Sequence, residues 1–132
     1  MEKRQTIDPG GWQAPFHTFA PAVRKGNMLF ISGTDASLLD PATGKPYISG
    51  DFADQYRVIM EKFKIILATA GASFDDIVYT CDYITTKEGY KATSDVRREY
   101  FGTSFPTSTG VVVKDLLSRN ALVEVDAIAV LG

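Results

Sequence analysis

The sequence predicts one α+β domain in which two helices cover one face of a sheet. Three observations carry this. A tight turn at Lys25-Gly26-Asn27 separates two short apolar runs, as in a β-hairpin. Between Phe52 and Ala70 the apolar residues recur at spacings of three and four, the period of a helix with one buried face. The run VEVDAIAV near the end alternates with a period of two, which marks a strand. With 132 residues, of which 45% are apolar, the chain has material for one core and not for two.

Residues 1–21 hold Pro9, Pro15, Pro21 and the pair Gly10-Gly11, too many breakers for a helix or a central strand. They read as an N-terminal arm. Its Trp12, Phe16 and Phe19 point to contact with something apolar, either the arm's own core or another subunit. The hairpin follows, with Ala22-Val23-Arg24 and Met28-Leu29-Phe30-Ile31 as its strands and Ser32-Gly33 at its end. The stretch from Thr34 to Asp51 carries Asp40-Pro41 and Thr43-Gly44-Lys45-Pro46 and reads as an excursion with turns. Tyr56, Ile59, Phe63, Ile66, Leu67 and Ala70 then form the apolar stripe of the first helix, which Gly71 ends. Ile77 to Thr85, rich in β-branched and aromatic residues, is a strand. A second helix is expected from Thr86 or Lys87 to Phe101, ending at Gly102. Two strands complete the order β-β-α-β-α-β-β, expected at Thr109–Lys114 and Leu122–Leu131.

Composition narrows the function. Fourteen Lys and Arg against sixteen Asp and Glu leave no surplus cation for a phosphate backbone, which argues against a nucleic-acid partner. No apolar run reaches the ~20 residues of a membrane span, and no signal-peptide core follows the first residues. One cysteine and one histidine make neither a disulfide nor a zinc site, so a reducing cytoplasm is expected. His17 lies in the arm with no G-x-S-x-G elbow to serve, and Cys81 in mid-strand reads as a buried structural thiol. No glycine-rich phosphate loop is present. The last strand is more informative, because Glu124 and Asp126 are two residues apart and therefore share a face. They are either solvated or in a cleft, where a partly buried carboxylate handles the protons of a water. Because that face mixes carboxylates with Ile128 and Val130, it is expected to meet another subunit around a cleft.

Taken in order, GNMLFISG, ILATAGASFDDIV, TCDYIT, EYF, FP and VEVDAIAV resemble the Rid family, the YjgF-type reactive intermediate deaminases, from about Phe19 to Val130. The resemblance implies a chorismate-mutase-like α+β fold, a homotrimer with clefts between subunits, and neither metal nor organic cofactor. It implies hydrolysis of enamines or imines to a keto compound and ammonia. Position by position, the glutamate that holds the attacking water corresponds to Glu124, the backbone lining the cleft to Ser32 and Gly33, and the arm aromatic to Phe19. Those deaminases carry Pro-x-Arg-[Ser/Thr] after the second helix, where the arginine clamps the substrate carboxylate in a bidentate pair. Here the segment reads Pro106-Thr107-Ser108-Thr109-Gly110, with Ser108 at the arginine and Gly110 at a frequent cysteine.

Exchanging such a clamp for a hydroxyl removes on the order of 2 to 5 kcal/mol of substrate binding, so small 2-imino acids are expected to be poor substrates. A wider, more aromatic cleft with Phe19, Ser108, Thr109 and Gly110, and with His17 near in sequence, suits a larger or less acidic substrate. Arg24, Arg97 and Lys114 are candidate cations to replace the clamp. The expected function is therefore a cofactor-independent C–N hydrolase acting on an enamine or imine. The alternative is a trimer that kept the fold, lost the clamp, and binds a metabolite or regulates without catalysis. The ribonuclease activity sometimes attributed to the family finds no basic stripe here.

Overall fold

The computed structural model describes residues 2–132. Six strands form one sheet: β1 (Gln5–Ile7), β2 (Ala22–Lys25), β3 (Met28–Thr34), β6 (Ile77–Ile84), β7 (Thr107–Val112) and β8 (Val123–Val130). Their order is β1-β2-β3-β8-β6-β7. The short strands β4 (Leu38–Leu39) and β5 (Pro46–Tyr47) pair with each other in the excursion after β3. Helix α1 (Phe52–Ala70) connects β3 to β6, and α2 (Thr93–Phe101) connects β6 to β7. Strands β6 and β7 run parallel, and β8 lies antiparallel between β3 and β6. A connection between parallel strands needs a crossover, and the helices supply both, α1 from β3 past β8 to β6 and α2 from β6 to its neighbour β7, packing against each other on one side of the sheet.

Helix α1 begins where Asp51 accepts a hydrogen bond from Asp54 N and Asp54 returns one from Asp51 N, a reciprocal cap. It ends at Gly71, whose φ of 74° is the left-handed conformation that glycine adopts without strain. Between them Tyr56, Ile59, Met60, Phe63, Ile66 and Leu67 are buried against Leu29, Ile31, Val123, Val125, Ala127 and Ala129 of the sheet. The expected alternation of β8 is therefore present: Val123, Val125, Ala127 and Ala129 face the helices, while Glu124, Asp126, Ile128 and Val130 face away.

Three sequence expectations are corrected in detail. The arm contains a strand: β1 precedes Pro9 and pairs with β2 at the sheet's edge, where nearby prolines cost no ladder bonds. The second helix starts later than Thr86, because Gly89 has a φ of 81° and a 3-10 turn, Tyr90–Ala92, intervenes before α2. Strand β7 starts at Thr107 rather than Thr109, since its register with Tyr79–Ile84 begins directly after Pro106. The arm is folded back on its own chain, with Asp8 accepting from Trp12 N and Gln13 N and Trp12 packed against the core. Phe16 and Phe19 remain exposed. No helix among the described residues is long and apolar enough to cross a membrane.

Candidate functional site

The two carboxylates of β8 are separated by their partners. Asp126 accepts a 2.7 Å hydrogen bond from the Tyr83 hydroxyl. Glu124 makes no side-chain hydrogen bond within the described chain. Its carboxylate lies instead over Gly33, so close that a Cβ built on Gly33 would clash with Oε1. Gly33 belongs to a bulge: the register of β3 against β8 shifts between Ile31 and Thr34, so that Ser32 and Gly33 together lie opposite the single residue Asp126. The bulge turns the glycine's missing side chain into the space that the carboxylate needs.

Burial raises the Glu124 pKa above its ordinary 4.5, and the negative charges of Asp35 and Asp126 raise it further. Asp35, by contrast, is held below its ordinary value: burial alone would raise it, but hydrogen bonds from Ser118 and Ser37 and the ammonium of Lys62 outweigh that. Lys62 of α1 donates to Asp35 O at 2.7 Å, and Ser118, just before β8, donates to the Asp35 carboxylate. A shallow cavity of about 340 Å³ opens beside Glu124, lined also by Gly33, Tyr83, Val113, Leu116 and Asp126.

The other residues singled out from the sequence fall into two groups. Ser32 donates to Ala20 O at 2.6 Å and its N–H to Pro21 O at 3.0 Å, which brings the arm, with Phe19 as the next residue out, to the bulge. His17 stacks on Phe19 with ring centroids 5.0 Å apart, and its Nδ1 accepts from Ala14 N. Thr109 faces the Glu124 side, in register with Cys81, which is buried. Ser108 and Gly110 do not. They are in register with Thr80 and Asp82, whose side chains point into the helical layer. Arg97 reaches the same layer from α2. Arg24 closes its own hairpin, donating to Gly26 O, and Lys114 lines a second cavity of about 510 Å³. Glu124 and Ser108 thus occupy opposite faces of one sheet, and within one chain they do not meet.

Reading the sequence misses Tyr83, Asp35, Lys62 and the pair Tyr56 and Tyr90. Tyr83 alone leaves a trace, since it shares the period of Cys81 along β6. Among the described residues no three His, Cys, Asp or Glu side chains are grouped to hold a metal ion.

The comparisons with known proteins agree with the spaced motifs. A RutC family protein of Pyrococcus horikoshii is 36% identical over 87% of this chain and 88% of its own length. The 3-aminoacrylate deaminase RutC of Acinetobacter baylyi is 30% identical, covering 96% and 97%. Among solved structures, RidA of Psychrobacter has a TM-score of 0.81 at 27% identity, covering 96% of this chain and 99% of that one. E. coli TdcF with bound serine also has a TM-score of 0.81, at 28% identity, covering 97% and 96%. Matched over residues 12–131 and similar in fold to solved Rid proteins over nearly its whole length, the chain belongs to the Endoribonuclease L-PSP family, the Rid or YjgF proteins.

Proposed function

We propose that the protein is a cofactor-independent hydrolase that releases ammonia from an enamine or imine in a cleft between subunits. The observation that carries this reading is Glu124: a half-buried carboxylate of raised pKa, seated over a glycine, with no side-chain partner among the described residues. Such a group holds a water, takes its proton as the water attacks the C=N carbon, and returns it to the departing nitrogen. The kinship with a 3-aminoacrylate deaminase supports the same chemistry. Position 108 carries a serine and so offers no cation to a substrate carboxylate, and the substrate is therefore an enamine or imine other than the small 2-imino acids.

A second copy follows from the same geometry. Ser108 and Gly110 face the helical layer at the β7 edge, Glu124 faces the other way, and one substrate reaches both only if two subunits contribute. Met28, Phe30, Val111 and Val130 are exposed on the Glu124 face, an apolar surface suited to burial between copies. Together with the family's assembly this supports a homotrimer.

The test is ammonia release, cross-checked by semicarbazide trapping, from freshly generated imines of acidic, aliphatic and aromatic amino acids. Activity on part of the panel supports the hydrolase. Binding of those compounds without any product favours instead the non-catalytic trimer, for which Ser108 is the specific argument. Two further results are expected. Gly33→Ala drives the Glu124 carboxylate out of its seat and lowers kcat on the order of 100-fold, the scale of a misplacement of about 1 Å. The activity of the wild type falls as pH drops through the Glu124 pKa, so the acid limb of the profile has its midpoint above 4.5. Asp35→Asn removes one of the charges that raise it, and the midpoint moves down.

A further inference from the structure

Arg97 is half-buried and makes no direct ion pair among the described residues, although its charge acts on the buried Asp82 beyond Tyr56. The ion pairs among the described residues are Arg57 with Glu99, Lys62 with Asp35 and Arg98 with Asp95. Arg97 has no such partner, yet its guanidinium is fixed. Nη1 donates to the Tyr56 hydroxyl at 2.6 Å. Nη1 and Nη2 lie 3.5 and 3.4 Å from Thr80 Oγ1, and the group's central carbon is 5.2 Å from the centre of the Phe101 ring.

The orientation has a cause one step further in. A phenol has a single proton, and Tyr56 gives its own to Asp82, whose oxygens are 3.1 and 3.2 Å away. Its lone pairs are then left for Arg97. Asp82 has no exposed surface and also accepts from the Tyr90 hydroxyl at 2.5 Å, so the whole relay is locked from below. An arginine has five N–H donors. Here three contacts are made, two of them long and to one oxygen, and Nε has no partner among the described residues.

Beside Thr80 the neighbouring strand β7 forms the edge of the sheet. All six residues of β7 are exposed. The β7 residues facing this layer are Ser108, in register with Thr80, Gly110, where any Cβ would come within 3.2 Å of the Tyr90 hydroxyl, and, further along, Val112. A hydroxymethyl and a hydrogen leave the guanidinium approachable. A cation that is immobilised before ligand arrives loses little rotamer freedom on binding.

We propose that Arg97 is the anion-recognition residue of the cleft, taking a substrate carboxylate in a charge-assisted pair from α2. This rests on the hydrolase reading and adds its substrate class: an enamine or imine that carries a carboxylate. The cation stands on the helix beneath the strand and not on the strand, so the carboxylate lies at a different spacing from the reacting carbon than in a small 2-imino acid.

Benzoate and its uncharged counterpart benzamide, titrated calorimetrically into the full-length protein, test this. Benzoate is expected to bind at least about 10-fold more tightly than benzamide, and Arg97→Gln to weaken benzoate by about 30-fold or more while leaving benzamide unchanged. Arg97→Lys recovers part of the loss. Because Arg97 touches the core through Tyr56, Ser108→Asp serves as a variant at an exposed position: its carboxylate occupies the guanidinium and abolishes benzoate binding. Equal binding of the two probes, binding of neither, or benzoate affinity indifferent to both substitutions would overturn the assignment. The two readings separate cleanly. If Glu124→Gln is inactive on imines while benzoate ignores Arg97, the hydrolase stands and the anion site falls. If benzoate needs Arg97 but Glu124→Gln turns over like the wild type, the reverse holds.

Discussion

Glu124→Gln is expected to lower ammonia release by two to four orders of magnitude, the range attributed to a positioned general base. The substitution keeps the shape of the side chain and removes only its charge and its capacity to take a proton. Since the Glu124 side chain makes no hydrogen bond among the described residues, the fold loses no partner. Stability is expected to move the opposite way from activity. The folded-state pKa is raised, so the folded protein binds this proton more tightly than the unfolded chain does. Its stabilising effect is therefore complete below the unfolded value near 4.5 and is lost as pH rises through the folded value. At neutral pH the charged carboxylate is a net liability, and the glutamine variant should melt at or above the wild-type temperature. That advantage should shrink on acidification below the ordinary carboxylate range. A variant that is inactive because it is unfolded would melt lower, so the two readouts distinguish loss of chemistry from loss of structure.

Asp82→Ala carries the largest expected effect on stability. The carboxylate has no exposed surface and accepts from both Tyr56 and Tyr90. Truncation leaves two phenol protons, that of the buried Tyr56 and that of the half-buried Tyr90, without their acceptor and frees Tyr56 to turn away from Arg97. Removing one partner from a buried charged network costs about 3 to 5 kcal/mol. For a domain of this size that is a drop on the order of 10 °C or more in Tm, measurable by thermal or urea unfolding. Asp82→Asn keeps an acceptor for one phenol and should cost distinctly less. Equal losses for alanine and asparagine would mean that volume, and not the hydrogen bonds, is what Asp82 supplies.

How far the sequence discloses this molecule depends on the range of the interaction. The hairpin, α1 and the strand of Glu124 are legible because turn residues and periodicity act within a few positions of each other. The start of α2 is less so, since Gly89 belongs to a turn whose left-handed φ only the structure displays. Strand order is beyond local pattern. Nothing within β8 says that Tyr83, 43 residues earlier in sequence, occupies Asp126 and leaves Glu124 unpartnered. Likewise, Ser108 and Glu124 are expected together from motif order, and only the register of β7, β6 and β8 puts them on opposite faces. Tyr56 reads as one more apolar position of α1, although its ring fills the core while its hydroxyl joins Asp82 to Arg97. Amphipathic side chains of this kind serve packing and polarity at once, and periodicity reports only the first.

The place of β8 in the sheet bears on how the protein is made. Synthesis runs from the N-terminus, so every other strand leaves the ribosome before β8, and β3 and β6 wait with unpaired edges facing a gap. Those edges are open to pairing with other chains until β8 enters between them. The segment that brings Glu124 is thus the one that closes the sheet, and a nascent chain acquires its candidate active carboxylate and its protection from aggregation in a single late step.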